Sequence, residues 1–347
     1  MRITYLHQYF NTPDMSGSTR SYEMARRLAA KGHEVNMITS WREQGGKKGW
    51  FETQEAGIRV HWLPVPYSNS MSYWQRIRAF ILFARGAAKK AAALPADVVL
   101  ASSTPLTIAL PGAYASKRQK AAMVLEVRDL WPELPIAVGA LRNPLSRLAA
   151  RMLERFAYRR SERIIALSPG MKEGIMSTGY PDPKIRVIPN SADLDLFHAE
   201  KADPSSFLNS RPELQGSPRV VYSGTMGMIN GVDYLTRIAA AARDIGSRIC
   251  FVIVGGGSQE QLVRGEAERL KVLNKNLFMY PPVPKQDMPH VLAAADMALS
   301  LFADFKPMWA NSANKFFDAL ASGTPIAINY GGWQAELLHE YGSGAVL

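Results

Sequence analysis

MALSLFADFKPMWANSANKFFDALASGTPIAIN, residues 297–329, reads as strand, helix, strand. Positions 297–301 and 326–329 are short strand candidates, and 311–325 is the helix between them. Ser312 or Asn311 can cap its start, and Gly323-Thr324-Pro325 stops it. Lys315 and Asp318 are three apart and share one face. Phe316, Phe317 and Leu320 point elsewhere, into a core. A lysine and free backbone N–H groups near a helix start suit a phosphate, and a carboxylate one turn later suits a pair of sugar hydroxyls. The segment therefore reads as one built to hold a nucleotide diphosphate. On these residues alone, the alternative is an ordinary amphipathic helix with one solvated ion pair.

The same alternation runs outward through the chain. In the first half, strands are predicted at 2–7, 34–39, 58–63, 98–102, 123–127, 163–167 and 185–188. Helical patterns lie at 18–31, 73–94, 144–161 and 169–176. Residues 189–218 carry no sustained periodicity. A second series has strands at 219–223, 248–254, 277–280, 297–301 and 326–329. Short β-rich runs between longer helical ones predict parallel sheets with crossover helices. The expected fold is α/β, with two Rossmann-like doubly wound domains at 1–190 and 218–347 and a connection at 191–217. A ligand is expected in the cleft between them, at the carboxyl ends of the strands.

Composition agrees with two domains. The chain has 347 residues, and 47% of them are hydrophobic, enough for a core in each half. The single cysteine, Cys250, sits in the apolar run 249–254 and reads as a buried small hydrophobe. One cysteine allows no disulfide framework, which favours a reducing compartment, the cytoplasm. The N-terminus MRITYLHQYFNTP lacks the apolar core of a signal peptide, and no stretch reads as a membrane span. Charge is uneven. Residues 1–190 hold 28 Lys+Arg against 14 Asp+Glu, a net +14, while 191–347 hold 13 against 16, a net −3. A basic half beside a mildly acidic one implies that one domain faces a polyanion: an anionic membrane surface, a phosphorylated lipid or a nucleic acid.

Several shorter patterns point toward anions. The loop Pro13–Arg20 holds Gly17 and Ser18 ahead of a helix, which allows close backbone approach to an anion, with Arg20 one turn in. Its one glycine is not a dinucleotide fingerprint. Gly224-Thr225-Met226-Gly227 and Gly255-Gly256-Gly257-Ser258 each follow a strand and precede a helix, as phosphate-contacting loops do; glycines at strand ends also serve merely for turning. After the strand at 123–127, Arg128 can neutralise a phosphate, and Asp129 or Glu133 can bind or polarise a hydroxyl. A structural Arg–Asp pair is the alternative. Asp193-Leu194-Asp195 imitates a metal-binding Asp-x-Asp, but it follows Pro189-Asn190, where Asp caps turns. With the histidines scattered, no bound metal is expected. The helix at 73–94 is basic and amphipathic. Trp74, Ile77, Ile81, Ala84 and Ala88 read as its apolar stripe, with Arg78, Arg85 and Lys89 on another face and Phe80 and Phe83 among the basic residues. Aromatics among basic residues suit an anionic membrane interface. A packed helix with solvated charges is the alternative.

In this order these motifs resemble the family-4 retaining glycosyltransferases of the GT-B fold, and more narrowly the bacterial surface-polysaccharide enzymes of the L-fucosamine transferase type. The resemblance rests on the loop 16–20, VRDLWPE at 127–133, PNSADLDLF at 189–197, YSGTMG at 222–227, VGGGSQ at 254–259 and NKFFDALASGTP at 314–325. It implies a sugar moved from a UDP-sugar to a lipid-linked saccharide in O-antigen or lipopolysaccharide synthesis, with no other cofactor. The implied acceptor carries an undecaprenyl-diphosphate-type lipid, and the implied sugar is an N-acetylated amino sugar. The enzyme would sit in the cytoplasm, on the inner face of the membrane, with no nucleic acid partner. Donor contacts are expected at Gly17, Ser18, Gly224, Thr225, Gly255, Gly256, Val283, Asn314, Lys315 and Asp318, the base edge being read near Val283. Arg128, Asp129 and Lys315 are the expected catalytic residues, and Arg20 and Glu133 the acceptor contacts.

The chain departs from the family pattern at several points. Of the family's two signature glutamates, the second falls at Asp318 and the first at Ala310. Its usual Arg and Lys positions are Thr225 and Asn230, which leaves Lys315 to meet the diphosphate. The family's His-Asp appears as Arg128-Asp129. The family also continues past the strand near 344–347 with a helix that returns to the first domain, so a shortened product is expected here. A nucleotide-sugar 2-epimerase on the same plan and a non-catalytic polyanion binder are the rival readings.

Overall fold

The computed structural model describes every residue except Ser16, Gln44, Gly45, Asn69, Ser70, Val138 and Ala140, and of Tyr73 and Ala137 the backbone alone. Ser16, the first residue of the expected anion loop, therefore lies outside the described residues. The chain forms two compact units. One is Met1–Thr12 with Ser18–Pro189, and the other is Pro13–Gly17 with Asn190–Leu347.

The first unit has eight strands: β1 (Arg2–Leu6), β2 (Glu34–Trp41), β3 (Phe51–Glu55), β4 (Ile58–Pro64), β5 (Val98–Ser102), β6 (Ala122–Val127), β7 (Arg163–Ala166) and β8 (Ile185–Val187). They lie in the order β3-β4-β2-β1-β5-β6-β7-β8. Each neighbouring pair is parallel except β3–β4. The helices are α1 (Arg20–Ala30), α2 (Tyr73–Ala93), α3 (Ala109–Gln119), α4 (Glu133–Ala137), α5 (Pro144–Arg160) and α6 (Pro169–Ser177). β3 is absent from the sequence-based strands. Its FETQE alternates half-buried and exposed residues, and it joins β4 through a turn with Ala56 and Gly57 at positive φ. Polar residues on such an outer strand keep it from pairing further.

The orientation of α2 corrects the expected stripe. Ser72 and Gln75 form a capping box at its start. The buried side is then Ala79, Phe83, Ala87 and Ala91, spaced by four. Trp74 and Ile81 are exposed, on the same side as Arg78, Arg85 and Lys89. Phe80 does not join that side: it is half-buried and stacks on Tyr67 at 6.0 Å. Small Ala residues let the helix lie close to α3, and the buried Phe83 anchors it.

The second unit has six strands, all parallel: β9 (Arg219–Ser223), β10 (Cys250–Val254), β11 (Leu277–Tyr280), β12 (Met297–Ser300), β13 (Ile326–Ile328) and β14 (Gly344–Val346). Their order is β11-β10-β9-β12-β13-β14. The helices are α7 (Ser205–Leu208), α8 (Asp233–Asp244), α9 (Glu260–Arg269), α10 (Met288–Ala293), α11 (Asn314–Ala321) and α12 (Trp333–Tyr341). Phe251 and Ile253 of β10 face one core, and Cys250, Val252 and Val254 face the other. A strand buried on both faces reads as an unbroken apolar run, as β10 does. Cys250 is free and buried. The stretch 191–217, read as the interdomain connection, is more than a bare linker. Phe207 and Leu214 are buried against Val221, Val252 and Phe278.

Candidate active site

In the second unit the strand order turns back between β9 and β12. β10 and β11 lie to one side of that point, β13 and β14 to the other. Open parallel sheets bind ligands at the carboxyl ends of the strands beside such a switch point. β9 brings Tyr222 and Gly224 to that edge, and β12 leads into α11. The helix starts at Asn314 with Ala313 as its N-cap and no side-chain cap. The expected caps are otherwise engaged. Ser312 Oγ accepts from the Asn190 N–H at 3.0 Å, and the Asn311 side-chain amide donates to Met308 Sδ at 3.6 Å. Without a side-chain cap, the first N–H groups of α11 keep their affinity for an anion.

Lys315 and Asp318 share a face of α11, yet among the described residues no ion pair joins them. The Lys315 ammonium donates to the Tyr222 hydroxyl at 2.8 Å and lies 4.0 Å from that ring's centre. The hydroxyl in turn donates to the Thr225 carbonyl at 2.8 Å. Burial pulls the Lys315 pKa down to about 7. Burial also pushes Asp318 up to about 7, with Lys285 opposing the rise and Asp193 adding to it. Both side chains are half-buried, and a cation and a carboxylate kept partly from water without each other are suited to a ligand that satisfies both.

The glycine loops are built differently from the expectation. The Gly224 N–H donates to the Val254 carbonyl and the Gly255 N–H to the Tyr280 carbonyl, so neither amide is left for a phosphate. What these glycines supply is room. A Cβ on Gly255 would stand 1.9 Å from the Gly224 carbonyl oxygen, and one on Gly224 would come 3.2 Å from Lys315 Nζ. Gly256, whose carbonyl accepts from Met226 N–H, is half-buried at the rim. Thr225 is exposed beside it, and Asn314 opens α11. The Val283 side chain packs on the core around Val291 and Phe278. Among the described residues its backbone takes no backbone partner. Asp193 and Asp195 belong to a turn in which Asp195 N–H donates to the Asp193 carboxylate at 3.3 Å.

In the first unit the strand order turns back between β1 and β5. Arg128, just past β6, donates to His7 Nε2 and to Ser18 Oγ, each at 3.2 Å. Because an arginine can only donate, His7 accepts at Nε2 and gives its Nδ1 proton to Ser21 Oγ at 2.6 Å. Burial, with the charges of Arg128 and Arg42, keeps this imidazole neutral, well below its usual pKa. Asp129 accepts from Thr104 Oγ1 at 3.1 Å, and burial raises its pKa against the pull of Arg128. Gly17, which belongs to the second unit, takes φ +122, a conformation that favours glycine.

Arg20 takes a different role from acceptor contact. Its buried guanidinium pairs with Glu126 at 2.8 Å and donates to the Pro189 and Ile188 carbonyls at 2.7 and 3.0 Å. These bonds tie β6 to the end of the first unit and engage all three guanidinium nitrogens. Glu133 is exposed at the start of α4, where its charge acts on Glu154 and Tyr158 of α5. Three contributors escaped the sequence: Tyr222, His7 and Lys285. Tyr222 and His7 each lie in an apolar strand context where an aromatic reads as core. Lys285 carries no local pattern at all.

Two parallel α/β units of this topology define the GT-B class of glycosyltransferase folds. The chain belongs to the glycosyl transferase 4-like domain family, whose model matches residues 17–191, and residues 217–346 match the glycosyl transferases group 1 model. It is a glycosyltransferase. A curated relative is WcaI of Escherichia coli (strain K12), assigned as a colanic acid biosynthesis glycosyl transferase. It is 22% identical over 306 residues, covering 83% of this chain and 74% of the relative. Anabaena HepE in complex with UDP shares the fold at TM-score 0.69 and 16% identity, covering 100% of this chain and 85% of that one. WaaG, a glycosyltransferase involved in lipopolysaccharide biosynthesis, does so at 0.68 and 17%, with 99% and 85% covered. Sucrose-phosphate synthase from Thermosynechococcus elongatus does so at 0.76 and 16%, with 100% and 85% covered.

Proposed function

We propose that the chain moves a sugar from a UDP-sugar to a hydroxyl of a lipid-diphosphate-linked saccharide, with the anomeric configuration retained, in surface-polysaccharide synthesis. The observation that carries the donor assignment is the unpaired Lys315 and Asp318 on one face of α11, beside the glycine edge of β9. In this reading Asp318 accepts from the ribose hydroxyls, the Val283 backbone reads the uracil edge, and Asn314 lies against the diphosphate. Lys315 and the uncapped helix start meet the charge that grows on the leaving diphosphate. These groups supply the positive charge themselves, so the proposal invokes no metal ion. An N-acetylated amino sugar is the favoured donor sugar, from the motif resemblance.

In the first unit, Arg128 and Asp129 are given the acceptor: the guanidinium for a phosphate charge, the carboxylate for the attacking hydroxyl. Same-face substitution, with the leaving phosphate oxygen taking the acceptor proton, needs no enzyme nucleophile. The proposal places the protein at the inner face of the cytoplasmic membrane, as a peripheral enzyme. Among the described residues no helix is long and apolar enough to cross a membrane. A panel of UDP-sugars offered with a lipid-linked N-acetylhexosamine, with products read by mass spectrometry and NMR, tests the reading. The expected product is one added sugar with its anomeric configuration kept. A UDP-sugar converted without acceptor would mark an epimerase instead.

A further inference from the structure

α2, α3 and α5 lie side by side on one face of the first unit's sheet, α2 against α3 and α3 against α5. Their outer sides are apolar to a degree unusual for a water-facing surface. On α2, Trp74 is 75% exposed, and Ile81 and Leu82 follow on the same side. On α3, Leu110 and Tyr114 are exposed one turn apart. On α5, Leu145, Leu148 and Met152 are 74, 57 and 63% exposed and stand at i, i+3 and i+7, a single stripe. Arg151, Arg155 and Arg159 run beside that stripe, all exposed. Every charged residue of the three helices is basic except Glu154, which is buried.

We propose that this three-helix face docks on an anionic lipid surface, with the α5 stripe and Trp74 entering the interface and the arginines and lysines meeting the headgroups. An apolar stripe of this size in water calls for a cover. A second copy of the chain would bring the same arginine rows against one another, whereas an anionic bilayer takes up both the apolar side chains and the cations. The rotation of α2 belongs to the same arrangement, since it turns Trp74 outward among Arg78, Arg85 and Lys89. The inference deepens the proposed membrane-linked transfer by naming the docking surface, and it stands on exposure and charge independently of that chemistry.

The test is co-sedimentation of the full chain with vesicles of phosphatidylglycerol and phosphatidylcholine, and with phosphatidylcholine alone. Binding is expected with the anionic vesicles only, and it should weaken as salt is raised. Leu145→Ser with Leu148→Ser and Met152→Ser should cut it by on the order of tenfold or more. Arg151→Glu with Arg155→Glu should also weaken it. Both variants should keep the wild-type melting temperature and affinity for UDP, because these side chains are exposed and lie outside the donor unit. Absent binding to anionic vesicles, or binding that neither variant changes, would overturn the proposal. So would a dimer that the serine variant dissociates while lipid binding persists. Normal vesicle binding by a chain that transfers no sugar would leave the surface standing and remove the catalytic reading.

Discussion

Lys315 and Asp318 sit three residues apart at a spacing that usually pairs opposite charges, yet Lys315 is turned to the Tyr222 hydroxyl and among the described residues no ion pair joins the two. Their burial has a consequence that can be read from stability. Asp318 has a folded pKa of about 7 against an ordinary 3.8, so the native state holds its proton more tightly than the unfolded chain. Its contribution to stability is therefore full below about 3.8 and is lost as pH rises through about 7. Asp318→Asn cannot titrate. Relative to wild type it should gain up to about 4 kcal/mol between pH 4 and pH 8. Urea unfolding at the two pH values measures this, and an equal difference between variant and wild type at both would contradict a carboxylate whose pKa is raised by partial burial. The residue identities of this site were legible as a lysine and a carboxylate on one face. The tyrosine that holds the lysine was not, because a Tyr inside YSGTMG looks like strand core until its hydroxyl is seen against Lys315. Arg20 misled in the opposite way. Its place after a small-residue loop resembles an anion contact, and only the three-dimensional approach of Glu126 and the 188–189 carbonyls shows where its guanidinium nitrogens are engaged.

At the scale of elements, periodicity located the central strands well because they are parallel and, as in β10 and β13, buried on both faces, which forces apolar runs. The β12–α11–β13 unit appears where the sequence placed it, with Ala298 opposite Ile326 and Ser300 opposite Ile328. The edge strand β3 was not legible, since an outer strand with polar alternation lacks that signal. Nor was the inward face of α2. Its alanines and aromatics allow more than one apolar stripe, and packing against α3 and the sheet selects Ala79, Phe83, Ala87 and Ala91. This rotation makes a sharp contrast between two aromatic positions. Phe83→Ala empties a core site and should cost about 3–5 kcal/mol. Trp74→Ala removes a side chain that is 75% exposed and should change stability by no more than about 0.5 kcal/mol. Paired denaturation curves check it, and a larger loss at Trp74 than at Phe83 would mean the helix is turned the other way. The glycine loops carry a similar lesson. Their sequence says only that backbone comes close to something, and here that something is first of all the neighbouring loop, Gly255 against Gly224.

Across the whole molecule, charge and chemistry divide along the two units. The basic half carries the arginine-lined helices, and the mildly acidic half carries the half-buried lysine and carboxylate of the donor assignment. The family membership fixes glycosyl transfer. The claim on which the rest depends is that α11 and the end of β9 hold the diphosphate and ribose of UDP. Calorimetric titration of UDP into the full chain, and into Lys315→Ala and Asp318→Ala, tests it most directly. Wild type should bind, and each variant should lose about 1–3 kcal/mol of affinity, since each removes a charge-assisted contact. UDP binding of unchanged strength in both variants would contradict the site.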